Sequence, residues 1–458
     1  SVWQDIQQGD TMGLFQIESP AQVRMSVQLR PSNMIDLAHQ IALVRPGPLQ
    51  SGTVHPYIRR RLGKEPVTYV HPCLEPILKK SYGTLLFQED VLRIAKYVAD
   101  MSWIEADKFR KAVSKASADA RDFITRAMHT SNLTEDQATS IFDMLHGFQG
   151  YGFAESHAWA FAQHAYASAY LRHHYPAEYM ASILTERPGM WSANTLRQEA
   201  RRYNIKFTPI NINTSGLSYR VIDEATPTSD NTQTYLLPPL TQIDGVSTEA
   251  ARHIIQTRLH KPILSFDDAY TRLNLPIDTW EALIRAGTFP GKRHELLYAL
   301  HSKTHPSGQQ PLFTSNDPAP LPEQTFATRF AWDFELKHFS EHEVHPLDLV
   351  RRQLIDMGVT PLPKVNYGDT LTAGMVVAKQ KPPTAKGFAF FMLEDGSTRA
   401  QLTISPQLWA ENREMLQQAR ILITQAHASK QGQALSLRAE QIWGLEAPVA
   451  SREGYAWG

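Results

Sequence analysis

Between residues 71 and 185 the apolar positions recur every three or four residues. Val91, Leu92, Ile94, Ala95, Val98 and Met101 form one such stripe, the period that lines a single helix face. Residues 34–44 share the spacing until Arg45-Pro46-Gly47-Pro48 breaks it. Ser19 reads as a helix cap after a turn and a short apolar run. The spacing also predicts a helix from about His157 to Tyr175, capped by Ser156 and stopped by Pro176.

After residue 185 the pattern loosens. Residues 186–235 look irregular, with Arg197 to Tyr203 helical and Ile205 to Thr208 resembling a short strand. Leu240 to Ala251 has the outline of a helix-hairpin-helix, and Phe266 to Phe289 gives two more short helices ending at Gly287. Residues 303–326, rich in Ser, Thr, Pro, Gly and Gln, read as a linker. Residues 327–365 read as a helical connector. From Asp369 to Trp443 the pattern turns to alternation. Segments 371–378, 388–395, 400–404 and 421–424 read as strands, 433–439 as a fifth, and 405–418 as a helix. Five strands with a helix between the third and fourth describe an OB-fold. The expected class is mixed, mainly α-helical and then a five-stranded β-barrel.

Composition narrows the class. The chain has 458 residues, enough for several domains, and its charged fraction of 20% with 42% hydrophobic residues is that of a soluble globular protein. A formal net charge of zero argues against a uniformly basic surface and leaves local patches open. The lone Cys73 cannot form an internal disulfide and fits a reducing cytosol, so a cytoplasmic location is expected. No apolar run is long enough for a membrane span, and no membrane partner is expected. The chain starts at Ser1 without Met, which reads as a piece of a longer protein.

Several stretches offer chemistry. In Gly150 to Phe161 two glycines precede Ser156 and His157 at a helix start. Exposed amides, a positive dipole end and an imidazole suit an anion such as phosphate, or simply cap a buried helix. Arg110, Lys111, Ser114 and Lys115 fall at spacings that put several of them on one helical face. They could converge with His157 on a polyphosphate, or remain separate solvated faces. Arg59, Arg60 and Arg61 follow Tyr57 and suit a phosphate backbone or solvent. In the hairpin, Gly245 is present but Ser247 stands where a second glycine is usual; the turn grips a phosphate or is purely structural. Gln309-Gln310-Pro311-Leu312-Phe313, inside the linker, suits the hydrophobic groove of a bacterial sliding clamp or is a chance match. In the barrel, Lys379, Lys381, Lys386 and Phe388 suit a single strand, unless the barrel serves only as a packing module.

Four motifs carry a resemblance: Phe15-Gln16-Ile17-Glu18-Ser19, Ala42-Leu43-Val44-Arg45-Pro46-Gly47-Pro48, Gly83-Thr84-Leu85-Leu86-Phe87-Gln88-Glu89 and Gly152-Phe153-Ala154-Glu155-Ser156-His157. In that order they resemble the fingers of a bacterial C-family DNA polymerase, the DNA polymerase III alpha subunit. Val344-His345-Pro346-Leu347 and the Lys379–Gly387 segment look closest to the error-prone branch, DnaE-like or ImuC. The resemblance implies fingers over 1–195, a helix-hairpin-helix domain over 196–302, the linker and connector, an OB-fold over 366–446 and a tail over 447–458.

It also implies template-directed synthesis in damage tolerance, with a deoxynucleoside triphosphate and primer-template DNA as ligands. A sliding clamp, through Gln309, Leu312 and Phe313, and other mutasome subunits are further implied partners. Arg110, Lys111, Lys115, Ser156 and His157 would face the triphosphate. Arg45, Arg59, Arg60, Arg61, Gly245, Ser247, Lys379, Lys381 and Lys386 would face DNA. Lys111 stands where the family commonly has a second arginine, and so offers a point charge in place of a planar fork. Ser114 replaces a common glycine. The family's magnesium ions are held by three palm aspartates, two of them an Asp-x-Asp pair. No Asp-x-Asp occurs in this chain, so the Mg2+ ligands are expected outside it and the isolated chain is expected to be inactive. The competing expectations are a non-catalytic DNA- or clamp-binding module and a fragment of a replicative alpha subunit.

Overall fold

The computed structural model describes residues 1–44, 54–112, 117–148, 152–225, 232–304, 324–340, 344–396, 398–445 and 455–457. The chain divides into two compact units, the first Ser1–His173 with Gln431–Ala434, the second His174–Lys430 with Leu435–Gly458. Among the described residues no helix is long and apolar enough to cross a membrane.

The first unit is helical. Helices Gln88–Val98, Trp103–Ala112, Ser117–Ser131 and Glu135–Gly147 bury their apolar stripes in one core. Of the predicted stripe, Val91, Ile94, Ala95, Val98 and Met101 are buried and Leu92 packs at its margin. Phe109 and Phe123 stack 5.1 Å apart at its centre, and Phe142 closes on both. Aromatic pairs of this kind add about 1 kcal/mol beyond their buried area. The expected cap at Ser19 is present, its hydroxyl accepting from the Gln22 amide at the start of Pro20–Leu29. Asn33 caps Met34–Leu43 in the same way.

The second unit is mixed. Its first sheet corrects the reading of residues 186–235 as irregular. Strands β1 (Lys206–Phe207), β2 (Arg220–Ala225) and β3 (Thr232–Leu237) lie in the order β1-β3-β2. Strands β2 and β3 pair antiparallel on either side of a polar run, and neither alternates in sequence, so no period marked them. The hairpin of the helix-hairpin-helix is entered through a 3-10 turn, Leu240–Gln242, in place of a first α-helix. Pro238 and Pro239 lack N–H donors, so a helix cannot run through them into the turn. The following helix, Thr248–His260, is capped by Ser247, which accepts from the Ala250 amide at 3.1 Å.

The barrel forms as expected. Strand β4 (Thr360–Pro361) precedes β5 (Gly368–Gln380), β6 (Ala389–Asp395) and β7 (Thr398–Ile404). Helices Pro406–Glu411 and Arg413–Gln418 then lead to β8 (Ile421–Gln431) and β9 (Ala434–Leu445). The order β5-β6-β7-β9-β8 closes through β5–β8 pairing, and β7 and β9 run parallel. Strand β5 serves both neighbours, its first half pairing with β8 and its second with β6. A bulge between Val376 and Ala378 shifts the register of β5 against β6 and supplies the bend that closure needs. Phe391, Leu393, Leu402, Ile404, Leu422, Ala426 and Leu437 fill the interior.

Deep in the first unit, His39 lies against Tyr57 and Phe87, its Nδ1 2.7 Å from the Tyr57 hydroxyl. Burial first, then nearby Lys80, pulls its pKa from the ordinary 6.5 to about 4. Between those values the unfolded chain binds a proton that the folded chain refuses, so stability falls as pH drops through this window. Thermal melts at pH 7 and pH 5 check this. The melting temperature should fall with pH, and His39→Gln should reduce that fall.

Candidate nucleotide and nucleic-acid interface

Three of the four motifs, far apart in sequence, meet along one helix of the first unit, and Arg45 to Pro48 of the remaining one lie outside the described residues. Phe87 and Phe153 form a parallel bridge, the Gln88 amide donates to the Phe153 carbonyl, and the Gln88 side chain donates to the Gly152 carbonyl. A Cβ on Gly152 would lie 2.7 Å from Gln88 Cγ, so glycine here permits the close approach. Phe15 stacks its ring near Phe161, 5.2 Å between centroids, and its amide donates to Ser168. Arg172, buried on the same long helix, donates to the Met12 and Asp10 carbonyls and holds the Gly9–Gly13 turn. His39, on the helix that ends in Ala42-Leu43, packs on Phe87.

The long helix runs Glu155–His174. Ser156 is therefore its second residue and not its cap, a correction to the sequence reading. Pro176 does not merely follow it but opens the next helix, Pro176–Glu186, in the first turn where a missing N–H costs nothing. Glu89 takes the capping role from another element, its carboxylate accepting from the Glu155 amide at 2.8 Å. The Glu155 side chain is gripped by Lys80 at 2.7 Å and Arg93 at 2.9 Å. Burial works against this carboxylate, but hydrogen bonds from Lys80 and Arg93 outweigh it and hold its pKa below the usual range. Lys80 also bridges to the buried Asp90 at 3.2 Å. Ser156 and His157 are exposed, and the His157 ring lies between Phe153 and Phe161 at 5.0 and 4.0 Å. The helix start thus presents a polar turn on a fixed base, and it already holds one carboxylate.

Arg110 and Lys111 lie on Trp103–Ala112, which packs on Gln88–Val98. Both bond Asp107, Arg110 at 2.9 Å and Lys111 at 2.6 Å. Hydrogen bonds from Lys111 and then Arg110 lower the Asp107 pKa. An acid three and four residues before two bases is a sequence signal for this pairing, and it went unread. Ser114 and Lys115 lie outside the described residues.

The three arginines divide. Arg59 is exposed and pairs with Glu65. Arg60 is spent on Glu65, the Thr68 hydroxyl and the Thr68 and Tyr82 carbonyls. Arg61 is spent on Asp36 and the Leu29 and Arg30 carbonyls. The expected DNA contacts at Arg60 and Arg61 are thereby corrected to anchors, because their donors are satisfied within the fold. Arg45, Gln309, Leu312 and Phe313 lie outside the described residues.

In the second unit Gly245 takes φ 89°, and a Cβ there would meet the Ala282 Cβ at 3.2 Å. Gly245 and Ser247 are exposed, with the Asp244 and Glu249 carboxylates beside them. Lys379 corrects its expectation. Its ammonium donates to the Leu416, Gln417 and Ala419 carbonyls at 2.8–3.2 Å, ending the Arg413–Gln418 helix where four carbonyls lack partners. Desolvation, then Arg420, lowers its pKa. Lys381 stays exposed over the Trp409 ring at 4.5 Å, and Lys386 and Phe388 are exposed beside it in sequence. Among the described residues no three His, Cys, Asp or Glu side chains gather as metal ligands. The residues present do not fit a magnesium pair.

A motif-bearing helical unit, a helix-hairpin-helix and a closed barrel define a class of nucleic-acid-handling proteins. Residues 1–132 match the bacterial DNA polymerase III alpha subunit finger domain, and residues 204–294 match a helix-hairpin-helix motif. The chain is 34% identical to an error-prone DNA polymerase of Corynebacterium efficiens over 94% of its own length and 40% of that protein. It is 32% identical to error-prone DNA polymerase 2 of Agrobacterium fabrum over 97% of itself and 43% of that protein. The figures for the error-prone DNA polymerase of Pseudomonas aeruginosa are 33%, 97% and 44%. The chain is thus similar to error-prone DNA polymerases over nearly all of its own length, and it spans about two fifths of the length of the relatives it matches.

Arg61→Ala should destabilise the first unit by about 3 kcal/mol or more, because it strands a nearly buried Asp36 carboxylate. Arg59→Ala should leave the melting temperature unchanged. Thermal unfolding of the two variants checks the division.

Proposed function

We propose that this chain supplies the part of an error-prone DNA polymerase that grips the incoming deoxynucleoside triphosphate and the primer-template, in synthesis that tolerates damage. The supporting observation is the junction of the third and fourth motifs at Glu155, gripped by Lys80 and capped by Glu89, with exposed Ser156 and His157 at the helix start. Arg110 and Lys111, with Lys115, are assigned to the triphosphate. Fixed cations and helix amides would offset charge developing on the phosphates without reorganising at the moment of reaction. Arg59, the Gly245–Ser247 hairpin, Lys381 and Lys386 are assigned to the DNA backbone, with the clamp peptide a further contact. Magnesium would activate the primer hydroxyl when held by carboxylates outside this chain. The proposed boundaries are fingers over 1–195, hairpin domain over 196–302 and barrel over 366–446.

Binding of a fluorescent primer-template across a salt series, with and without nucleotide, tests the reading. Affinity should fall steeply with salt, nucleotide should tighten the complex, and Arg110→Ala or His157→Ala should remove that gain. Asp107→Asn, which frees both cations, should raise the nucleotide gain several-fold. Salt-insensitive binding and no nucleotide response would overturn the reading. The isolated chain with magnesium should not extend a primer, and extension would overturn that part.

A further inference from the structure

Most cations of the first unit are committed to carboxylates or carbonyls. Around one cavity of about 530 Å³, lined in part by Arg30, His55, Ile58, Arg59, Leu62 and Lys64, they are not. Arg30, His55 and Lys64 are exposed and have no carboxylate partner among the described residues. Arg59 shares Glu65 with Arg60. The wall that carries Arg30 is fixed. Arg30 caps Pro20–Leu29 in the left-handed region, φ 51°, and Arg61 holds the Leu29 and Arg30 carbonyls. Lys64 follows a left-handed turn at Gly63, φ 68°.

The chemistry of this wall is mixed. Two unneutralised cations, Arg30 and Lys64, and the His55 imidazole border an apolar floor of Ile58 and the exposed Leu62. An inorganic anion would use only the cations. A duplex would present its phosphates outward and leave the floor uncovered. A single strand uses both, its phosphates on the cations and its sugars and bases on the apolar side chains. We propose that this cavity binds single-stranded nucleic acid, independently of the residues assigned to the nucleotide.

The test is anisotropy of a short fluorescein-labelled single-stranded oligodeoxynucleotide with the whole chain. R30A/K64A should weaken binding about tenfold at low salt and reduce the salt slope by about 1.4, the share of two single-strand phosphate contacts. L62S should weaken the same complex with the salt slope unchanged. Both variants alter exposed side chains and should keep the wild-type melting temperature. Nucleotide-dependent tightening on primer-template should persist in R30A/K64A, which separates this site from the one above. Unchanged affinity and slope in R30A/K64A would overturn the proposal. So would a duplex competing as well as the single strand, or inorganic triphosphate competing equally at matched phosphate concentration.

Discussion

The grip of Lys80 and Arg93 on Glu155 is the constraint on which the first unit depends. It joins a helix that begins at residue 155 to a segment some seventy residues earlier in the chain, and it sets where the exposed turn at Ser156 and His157 can stand. A charge pair of this kind gains little by itself, since desolvation cancels much of its attraction. Its value is geometric. Gln88 clips Gly152 and Phe153 to the same segment, Glu89 caps the helix start, and Arg172 holds the first motif to the far end of the helix. Lys80 and Arg93 each also face Asp90, so the two cations and two carboxylates form one shared network.

The same economy governs how the cations of a chain of zero formal charge are distributed. Cations at Arg60, Arg61 and Lys379 are consumed by carbonyls and carboxylates. In the second unit, Arg197 is buried between the Phe207 and Phe339 rings at 3.7 and 3.6 Å, and Arg399 ties strand β7 to Glu199 at 2.7 Å. These charges stabilise the fold. Arg30, Lys64, Lys381 and Lys386 are among the described cations that stay exposed and outside these pairs.

Periodicity made the barrel legible, because strand alternation and a helix at the right place fix both closure and order. It made the long helix and the core stripe of Gln88–Val98 legible for the same reason. It failed where the decisive contact is not local. Ser156 is a good cap by composition, but the cap comes from Glu89, which no local spacing reveals. Arg60, Arg61 and Lys379 look like solvated cations because many of their acceptors are backbone carbonyls, which sequence does not mark. Asp107 was within reach, since its spacing from Arg110 and Lys111 is helical. The hairpin β2–β3 was hidden by the lack of alternation in its strands, and the short 3-10 turn before Gly245 by reading a familiar outline past two prolines.

Hydrogen exchange over residues 152–161, in the chain alone and with a deoxynucleoside triphosphate and magnesium added, tests the central claim most directly. If the helix start set by Glu155 receives phosphate, exchange there should slow on adding nucleotide while the core helices Ser117–Ser131 and Glu135–Gly147 stay unchanged. Unaltered exchange at 152–161 under saturating nucleotide would contradict the account.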